Sequence, residues 1–384
     1  MPTKISSILV APNAFKHSLD ALAAARAIGE GLELGGYRGE LSYCPIGDGG
    51  DGTVALLLRQ LGAEQVPKTV TGPLAEPVRA SYGLVRQKKI ALIEMSDASG
   101  IKLLKDEDRD PMKATSYGTG ELILEALDQG VEEIIIGMGG SATVDGGCGI
   151  LAALGARFYD KQGNLLDACP ASLQLLAKVD LYGLDKRLQN VRIVVLCDVT
   201  NKLLGTSGAA AVFGPQKGAS EEQIKTLDVF LGQLAMQIRQ VTGRDMAAVD
   251  AGGVAGGAAG GLYAALDAQL KSGIAHFMEL TGLEDALKKA DMLITGEGSL
   301  DRQTLGGKGP YGLALKAKEM GKPVIAIAGK VPLDYDADMH DVFDVVLPIC
   351  HEPMHLADAL KVTRQNLIRT GVVIARFLSI SGMD

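Results

Sequence analysis

Short apolar runs alternate with amphipathic segments near the beginning of the chain. A buried strand is predicted over Ile5–Ala11 and a second short strand over Leu41–Pro45, because both runs are short and mostly apolar. The segment between them repeats its apolar positions at helical spacing, with Ser18 as the predicted N-cap and Gly35-Gly36 as the stop. This order predicts a strand, a helix and a second strand.

The same alternation returns near the end of the chain. Strands are predicted over Met292–Thr295, Val324–Ala328 and Val342–Leu347, with helical segments between them, and Leu356–Leu378 is predicted as one closing amphipathic helix. Five short apolar strands with helical crossovers are typical of a doubly wound parallel sheet. The fold class predicted is therefore α/β.

The middle of the chain has a less regular pattern, with a later strand predicted over Val191–Cys197, and is predicted to be an insertion. Residues 1–65 and 285–384 would form one discontinuous domain, and residues 66–284 would form a second α/β domain inserted into it. A cleft between two such domains is the default place to expect a ligand.

Composition excludes several classes of protein. The chain has 384 residues and a formal net charge of −8, which leaves no basic field for nucleic acid. No apolar run approaches the ~18 residues of a membrane helix, and no signal peptide pattern is present, so a cytoplasmic location is expected. The five cysteines are scattered without CxxC pairs, which argues against a disulfide framework and a structural zinc. The oligomeric state is left open.

The most informative motif is GMGGSATVDGG, from Gly137 to Gly147. It follows the β-branched run Ile134–Ile136 and precedes an apolar helical stretch, so it joins a strand to a helix. A glycine-rich turn in that position presents bare backbone N–H groups to an anion, and the hydroxyls of Ser141 and Thr143 and the carboxylate of Asp145 add polar groups. The alternative is a packed turn without a ligand.

Acidic residues follow several predicted strands. Ligands of parallel α/β sheets bind beyond the carboxyl ends of the strands, so these acids are expected near a ligand. Converging carboxylates need a cation among them, and Mg²⁺ prefers hard oxygen ligands and bridges phosphates. The alternative for each acid is that it caps the following helix. The acids are Asp48, Asp51, Asp198, Glu297 and Asp301.

Basic residues in loops complete a candidate phosphoryl-transfer site. Such a reaction needs cations to offset charge on the transferring oxygens and a carboxylate to orient or deprotonate the hydroxyl. A single surface lysine is usually only solvated, but Lys16 and Lys308 lie in glycine- or proline-containing loops that follow strands. Lys217 and Arg302 are the other candidates.

Three other functions fit parts of the sequence. Gly137-x-Gly139-x-x-Ala142 loosely matches the dinucleotide fingerprint, which makes an NAD-dependent oxidoreductase acting on a small hydroxy acid the alternative function. The segment His351–His355 satisfies HExxH, but Pro353 interrupts the helix on which a zinc hydrolase would carry it. A non-catalytic ligand sensor also fits the loops.

Taken in order along nearly the whole chain, five motifs resemble the bacterial glycerate kinases of the first type. They are APNAFKHSLDA, PIGDGGDGT, GMGGSATVDGG, FGPQKGAS and TGEGSLDRQTLGGKGP. The resemblance implies ATP-dependent phosphorylation of D-glycerate with Mg²⁺, at the 2-hydroxyl, to give 2-phosphoglycerate. It also implies a flavodoxin-like domain interrupted by a second α/β domain.

The resemblance and the residue chemistry together give a hypothesis for the site. The phosphates of ATP would rest on the amides of Gly139–Thr143, and the glycerate carboxylate would meet Lys16 or Arg302. Asp48 or Asp301 would accept the hydroxyl proton. The candidates are Lys16, Asp48 and Asp301 for catalysis, Ser18, Arg302 and Lys308 for substrate, Gly139, Gly140, Ser141, Thr143, Asp145 and Lys217 for nucleotide, and Asp198 and Glu297 for Mg²⁺.

The sequence departs from the family pattern at three places. Asn13-Ala14 stands where Asp-Ser is common, Val144 replaces a common Asn, and Ser299 occupies a position where Arg is usual. Arg302 follows three residues after Ser299, so either Arg302 takes over the missing charge or the substrate differs somewhat from that of the family. These departures concern the identity of the hydroxy acid more than the kinase chemistry.

Overall fold

The computed structural model describes residues 5–50, 52–197, 199–300, 309–332 and 337–381. The chain divides into two compact units, one made of Met1–Asp48 with Gly273–Asp384 and the other of Gly49–Ser272. We call them the discontinuous unit and the inserted unit.

The elements alternate between strands and helices through most of the chain. The strands are β1 (Ser7–Val10), β2 (Glu40–Tyr43), β3 (Glu64–Thr71), β4 (Pro77–Val85), β5 (Ile90–Glu94), β6 (Glu133–Gly137), β7 (Arg157–Tyr159), β8 (Lys178–Asp180), β9 (Arg192–Cys197), β10 (Gln269–Ser272), β11 (Met292–Ser299), β12 (Val324–Lys330) and β13 (Val345–Pro348). The helices are α1 (Ala21–Leu34), α2 (Thr53–Gln60), α3 (Met95–Ser99), α4 (Tyr117–Asp128), α5 (Cys148–Ala153), α6 (Pro170–Leu173), α7 (Ala209–Phe213), α8 (Glu221–Thr242), α9 (Ala258–Leu266), α10 (Gly273–Thr281), α11 (Leu283–Lys289), α12 (Gly309–Glu319), α13 (Ala337–Val342), α14 (Leu356–Lys361) and α15 (Thr363–Ser381).

The discontinuous unit contains a parallel sheet in the order β13-β12-β11-β1-β2. Counted along the chain, its strands follow the flavodoxin-like order 2-1-3-4-5, in which the strand order reverses between β1 and β11. Alternate apolar residues of the central strands, such as Ile8, Val10 and Ile294, are buried in one core with Ile28 and Leu367 of the helices. The site predicted by this topology lies at the carboxyl ends of β1 and β11.

The inserted unit contains a six-stranded sheet in the order β10-β9-β6-β5-β4-β3. The strands from β10 to β5 are parallel, whereas β4 and β3 continue the sheet antiparallel. The central strand β6 is buried along its whole length, as expected for a parallel strand covered on both faces. The two units confirm the predicted α/β class with a doubly wound parallel sheet.

The packing of single elements sets where the units begin and end. Helix α2 packs on β5 and β6, and β3 pairs with β4, so both belong to the inserted unit. Helices α10 and α11 pack against α12 and β1 and belong to the discontinuous unit. The inserted unit therefore begins after Asp48 and ends before Gly273. The sequence analysis had instead placed these boundaries at 65/66 and 284/285.

Two local predictions in the discontinuous unit differ from the structure. The N-cap of α1 is Asp20, whose carboxylate accepts a hydrogen bond from the Ala23 amide, and not Ser18. The predicted closing helix is two helices, α14 and α15, separated at Val362. At this break the carbonyl of Leu360 accepts hydrogen bonds from the hydroxyls of Ser18 and Thr363, which satisfy it outside a regular helix.

Across the part of the chain that the structure describes, no helix has both the length and the hydrophobicity to cross a membrane.

Candidate active site

The glycine-rich motif forms a loop at the carboxyl end of β6. The strand ends at Gly137, where a Cβ atom would lie 2.9 Å from a Val54 methyl and 3.0 Å from a Glu94 carboxylate oxygen. The chain then runs without regular structure to Gly147, the left-handed N-cap of α5. We call residues 138–147 the anion loop. Its place at the carboxyl edge of a parallel sheet is the place that the sequence predicted.

Backbone hydrogen bonds fix the loop against the last residue of α3 and the segment that follows it. The Gly140 carbonyl accepts from the Ile101 amide at 2.8 Å, and the Ala142 amide donates to the Ser99 carbonyl at 2.9 Å. Within the described ranges, the amides of Gly139, Gly140 and Ser141 donate to no other residue. Gly139 is half-buried and Gly140 is exposed, so these donors can be reached by a ligand.

Thr143 has a buried hydroxyl group that is not hydrogen-bonded to any described residue. Its side chain is fully buried, and its hydroxyl has no hydrogen-bond partner among the residues described. Buried hydroxyls are nearly always paired in native proteins. Within the described structure, the loop thus offers three open amides and one unpaired hydroxyl within five residues. This set of donors suits a ligand with several oxygen acceptors.

Asp145 holds the loop in place through buried hydrogen bonds. Its fully buried carboxylate accepts from the Ser116 amide at 2.9 Å, the Ser116 hydroxyl at 2.7 Å, the Gly147 amide at 3.0 Å and the Gly149 amide at 3.1 Å. These bonds occupy both carboxylate oxygens, so Asp145 joins the starts of α4 and α5. The sequence had grouped it with the nucleotide contacts.

Lys217 lies directly behind the same loop. Its side chain is 3% exposed, and its Nζ donates to the Ser141 hydroxyl at 2.8 Å and to the Thr143 carbonyl at 2.7 Å. Burial lowers the pKa of Lys217 from 10.5 to about 7, and the nearby Asp145 carboxylate opposes that shift. Sequence reasoning predicted this lysine as a nucleotide contact without an indication that it is buried.

A second glycine-rich loop supports the anion loop from another side. The Gly256 carbonyl accepts from the Gly146 amide at 3.0 Å. At Gly256 φ is +67°, and a Cβ atom there would lie 2.0 Å from the Thr143 carbonyl oxygen, so only glycine fits. The sequence predicted this segment as a loop that leads into α9, but not that it packs against the anion loop.

In the discontinuous unit, a buried polar pair lies where β1 and β2 end. The Asn13 side-chain amide donates to the Asp48 carboxylate at 2.9 Å, and both residues are over nine-tenths buried. The Asn13 backbone amide donates to the Gly296 carbonyl of β11 at 2.8 Å, which places Asn13 at the reversal of strand order. A Cβ atom on Gly309, the first residue of α12, would lie 3.3 Å from the Asp48 Cβ.

The remaining described candidates of this unit differ in exposure. Lys16 is exposed, and its backbone lies next to Gly298, where a Cβ atom would be 3.3 Å from the Lys16 amide nitrogen. Glu297 is buried near the end of β11. The Ser18 hydroxyl donates to the Leu360 carbonyl at 2.6 Å, so it anchors its loop to the end of α14.

Five predicted site residues lie outside the described residues, namely Asp51, Asp198, Asp301, Arg302 and Lys308. No group of three or more His, Cys, Asp or Glu side chains in the described ranges is arranged to hold a metal ion. Of the two predicted Mg²⁺ ligands, Asp198 and Glu297, only Glu297 lies among the described residues.

Sequence reasoning missed three residues of these two sites. Glu94 is a buried carboxylate at the carboxyl end of β5. The sequence pattern that could have identified it is an acidic residue at the end of an apolar strand. Ser116 is a fully buried serine next to the start of α4, and only its bonds to Asp145 identify it. Asn13 was noted as a departure from the family pattern, but its contact with Asp48 was not predicted.

The local structure disfavours two of the alternative functions. In the dinucleotide fingerprint a helix opens directly after the third small residue, whereas here the helix begins at Cys148 and ends at Ala153. The HExxH segment His351–His355 forms no helix, so its histidines do not have the i, i+4 arrangement of a zinc hydrolase.

Comparison with known proteins identifies the family. Residues 8–379 match the model of the glycerate kinase family. The chain is 44% identical to the glycerate kinase of Haemophilus influenzae over 371 residues, which covers 97% of this chain and 98% of that protein. It is 43% identical to the glycerate 2-kinase of Escherichia coli over 374 residues, with 97% and 98% covered.

A solved structure shows the same fold. It comes from Salmonella typhimurium LT2 and is described provisionally as glycerate kinase 2. It superposes with a TM-score of 0.84 at 44% identity and covers 98% of this chain and 99% of its own. The chain therefore belongs to the glycerate kinase family and is a phosphotransferase.

Proposed function

We propose that this protein transfers the terminal phosphoryl group of ATP to the 2-hydroxyl of D-glycerate, giving 2-phosphoglycerate, with Mg²⁺ as the nucleotide's cation. The family supports glycerate as the acceptor, and the name of the Escherichia coli relative, a glycerate 2-kinase, supports the 2-hydroxyl. The proposal that the protein binds ATP rests on the row of open amides from Gly139 to Ser141.

The anion loop provides the interactions that phosphoryl transfer needs at the donor. Backbone N–H groups and the Thr143 hydroxyl would donate to phosphate oxygens, whose negative charge must be offset while the phosphoryl group moves. Since the loop is held by Asp145, Lys217 and the Gly256 turn, its donors are positioned before the nucleotide arrives. Preorganised donors cost no reorganisation at the moment of reaction.

The acceptor chemistry is assigned to residues of the discontinuous unit. Lys16 and Arg302 would attract the glycerate carboxylate, with Ser18 and Lys308 as further substrate candidates. Asp48 or Asp301 would accept the hydroxyl proton. The Asn13 amide donates to the buried Asp48 carboxylate and so orients it as a candidate acceptor of the hydroxyl proton.

The donor set agrees with Mg²⁺ as a companion of ATP. Mg²⁺ keeps several waters and binds through one or two carboxylates and the substrate phosphates, so a single buried carboxylate such as Glu297 is a suitable protein ligand. Asp198 remains the second predicted ligand. When bound, the ion would neutralise charge on the transferring phosphate oxygens.

The test is an ATP-coupled assay over a panel of three- and four-carbon hydroxy acids, with phosphorus NMR of the product. We expect ADP release that depends on D-glycerate, and a phosphorus signal coupled to the C2 proton. Phosphorylation at the 3-hydroxyl would overturn the regiochemistry. ADP release with another hydroxy acid in preference to glycerate would overturn the substrate.

Asp301→Asn tests the assignment of the base. If Asp301 accepts the hydroxyl proton, kcat should fall by about a hundredfold or more while KM for glycerate changes little, because the carboxylate acts mainly in the transition state. Asp48→Asn is the matched comparison. Near-normal turnover in one of the two variants removes that residue from the chemistry.

A further inference from the structure

We propose that Lys217 is a positioning residue, which holds the Ser141–Thr143 part of the anion loop from behind and sets its donors for a nucleotide's phosphates without touching the nucleotide. This inference rests on the proposed function for the nature of the ligand. It departs from the sequence-based prediction, in which Lys217 was a direct contact.

The geometry carries the inference. The two hydrogen bonds of the Lys217 ammonium end on the loop itself, at the Ser141 hydroxyl and the Thr143 carbonyl. The side chain is 3% exposed, whereas Gly140 of the same loop is exposed. The ammonium group is therefore occupied by the loop and shielded from solvent, whereas the loop itself can be reached at Gly140.

The Thr143 carbonyl is constrained by two neighbours. Gly256 approaches it so closely that a Cβ atom would be 2.0 Å from the oxygen, and Lys217 donates to the same oxygen at 2.7 Å. With its carbonyl fixed, the peptide between Thr143 and Val144 cannot rotate. The lysine itself is placed by the Gly214–Gly218 turn, where Gly218, at φ +93°, packs against the Arg109 backbone.

A charge in this position also acts on an anion through the loop. Buried charges are screened weakly, so a protonated Lys217 stabilises phosphate bound a few ångströms away. The titratable or charged groups around it are Asp145, the Cys148 thiol next to Asp145, and Arg109, whose guanidinium donates to the Gln216 carbonyl. Burial raises the pKa of Cys148 well above its ordinary value, so this thiol stays neutral.

The pH dependence follows from proton linkage. Burial lowers the pKa of Lys217 to about 7, and a bound anion favours the protonated form of the lysine. Nucleotide binding should therefore take up a proton near neutrality, and affinity should fall as pH rises through 7. A lysine with a purely structural role would give no such dependence.

The experiment measures ADP binding by calorimetry between about pH 6 and about pH 8.5, and ATP and glycerate kinetics in parallel. Lys217→Met keeps most of the length of the side chain but removes its charge and its donors. Lys113→Met is the matched control, since Lys113 is an exposed lysine of the same unit whose partner is Asp110. Titration of ADP itself is common to all variants and cancels in the comparison.

We expect Lys217→Met to weaken ADP binding and raise KM for ATP by about tenfold or more, as for the loss of a charged hydrogen bond, with KM for glycerate unchanged. It should also lose the fall in affinity with pH that the wild type and Lys113→Met retain. Circular dichroism should show that the variant is folded. Lys217→Arg, which keeps the charge and the donors, should recover part of the affinity.

A double-mutant cycle separates positioning from contact. If Lys217 acts through the loop, Lys217→Met should cost less in a Ser141→Ala background than in the wild type, because one of its partners is already gone. Fully additive losses, or wild-type ADP affinity and pH dependence in a folded Lys217→Met, would overturn the inference. Failure of the proposed function looks different, since ADP binding would still depend on Lys217 while glycerate was not phosphorylated.

Discussion

At the scale of single residues, buried polar groups determine what each site can do. Asp145 is the clearest case, because a fully buried carboxylate that accepts four hydrogen bonds exerts its effect through the loop that it holds. Asn13 has a related role in the other unit, where its amide donates to Asp48. For both Asp145 and Asn13, the hydrogen-bond partners show what the side chain does in the structure.

Asp145→Asn should destabilise the protein by about 2–4 kcal/mol, because the new amide group would face N–H donors and leave them unpaired. Urea unfolding followed by circular dichroism measures the effect. Asp160→Asn is the control, since Asp160 accepts similar bonds from Gln162 and Asn164 at the surface, where water replaces them. Equal losses in the two variants would contradict a special role for Asp145.

Asn13→Asp should lower kcat by about tenfold at neutral pH. Two carboxylates at hydrogen-bond distance cannot both stay ionised, so the pair would hold a proton and weaken Asp48 as an acceptor. A pH–rate profile makes the measurement. A profile identical to the wild type would show that Asp48 is not the acceptor or that Asn13 does not control it.

At the scale of elements, the contact between α1 and α15 depends on two glycines. A Cβ atom on Gly31 would lie 2.1 Å from the Ile368 carbonyl oxygen, and one on Gly371 would lie 2.5 Å from the Ile28 carbonyl oxygen. The two backbones therefore touch. This crossing packs the N-terminal and C-terminal helices together and so joins the two sequence segments of the discontinuous unit.

Gly31→Ala should cost about 2–3 kcal/mol of stability, because the helices must separate to admit the methyl group. Gly232→Ala in α8 is the matched control. Gly232 is also inside a helix, but the atom nearest to an added Cβ would be 3.7 Å away, so the gain in helix propensity should make it neutral or stabilising by up to about 1 kcal/mol. Thermal unfolding of both variants gives the comparison.

At the scale of the whole molecule, the chain contains one continuous unit and one discontinuous unit. The inserted unit has its own sheet and its own buried core, from Val70 on β3 to Ala268 next to β10. The hydrogen bonds that hold the anion loop, from Asp145, Lys217 and Gly256, also lie within this unit. Its folding should therefore require no residue outside it.

A fragment of residues 49–272 should fold alone, with a cooperative unfolding transition and measurable ADP binding that Lys217→Met weakens. Circular dichroism and calorimetry test both parts. A fragment without cooperative unfolding would show that the unit depends on the rest of the chain. The complementary fragment is not expected to fold by simple truncation, because its two segments are far apart in sequence.

Sequence patterns located most of the elements of the sheets but not all of their limits. Strands such as β6 and β9 were predicted because buried parallel strands are continuous apolar runs. The break between α14 and α15 was missed, because the hydroxyl of Ser18, distant in sequence, bonds to a carbonyl at that point. The unit boundaries were missed for a similar reason, since packing decides to which sheet α2 belongs.

The α/β class, the family and the position of the anion loop could be read from the amino-acid order alone, because periodicity, glycine clusters and motif order are local properties of the chain. Which polar residues face a ligand and which hold the loop depended on the folded arrangement. Lys217 and Ser141 are 76 residues apart, and their bond exists because the fold buries both. Burial and partnership are properties of the folded chain, and they determine whether a charged side chain binds or positions.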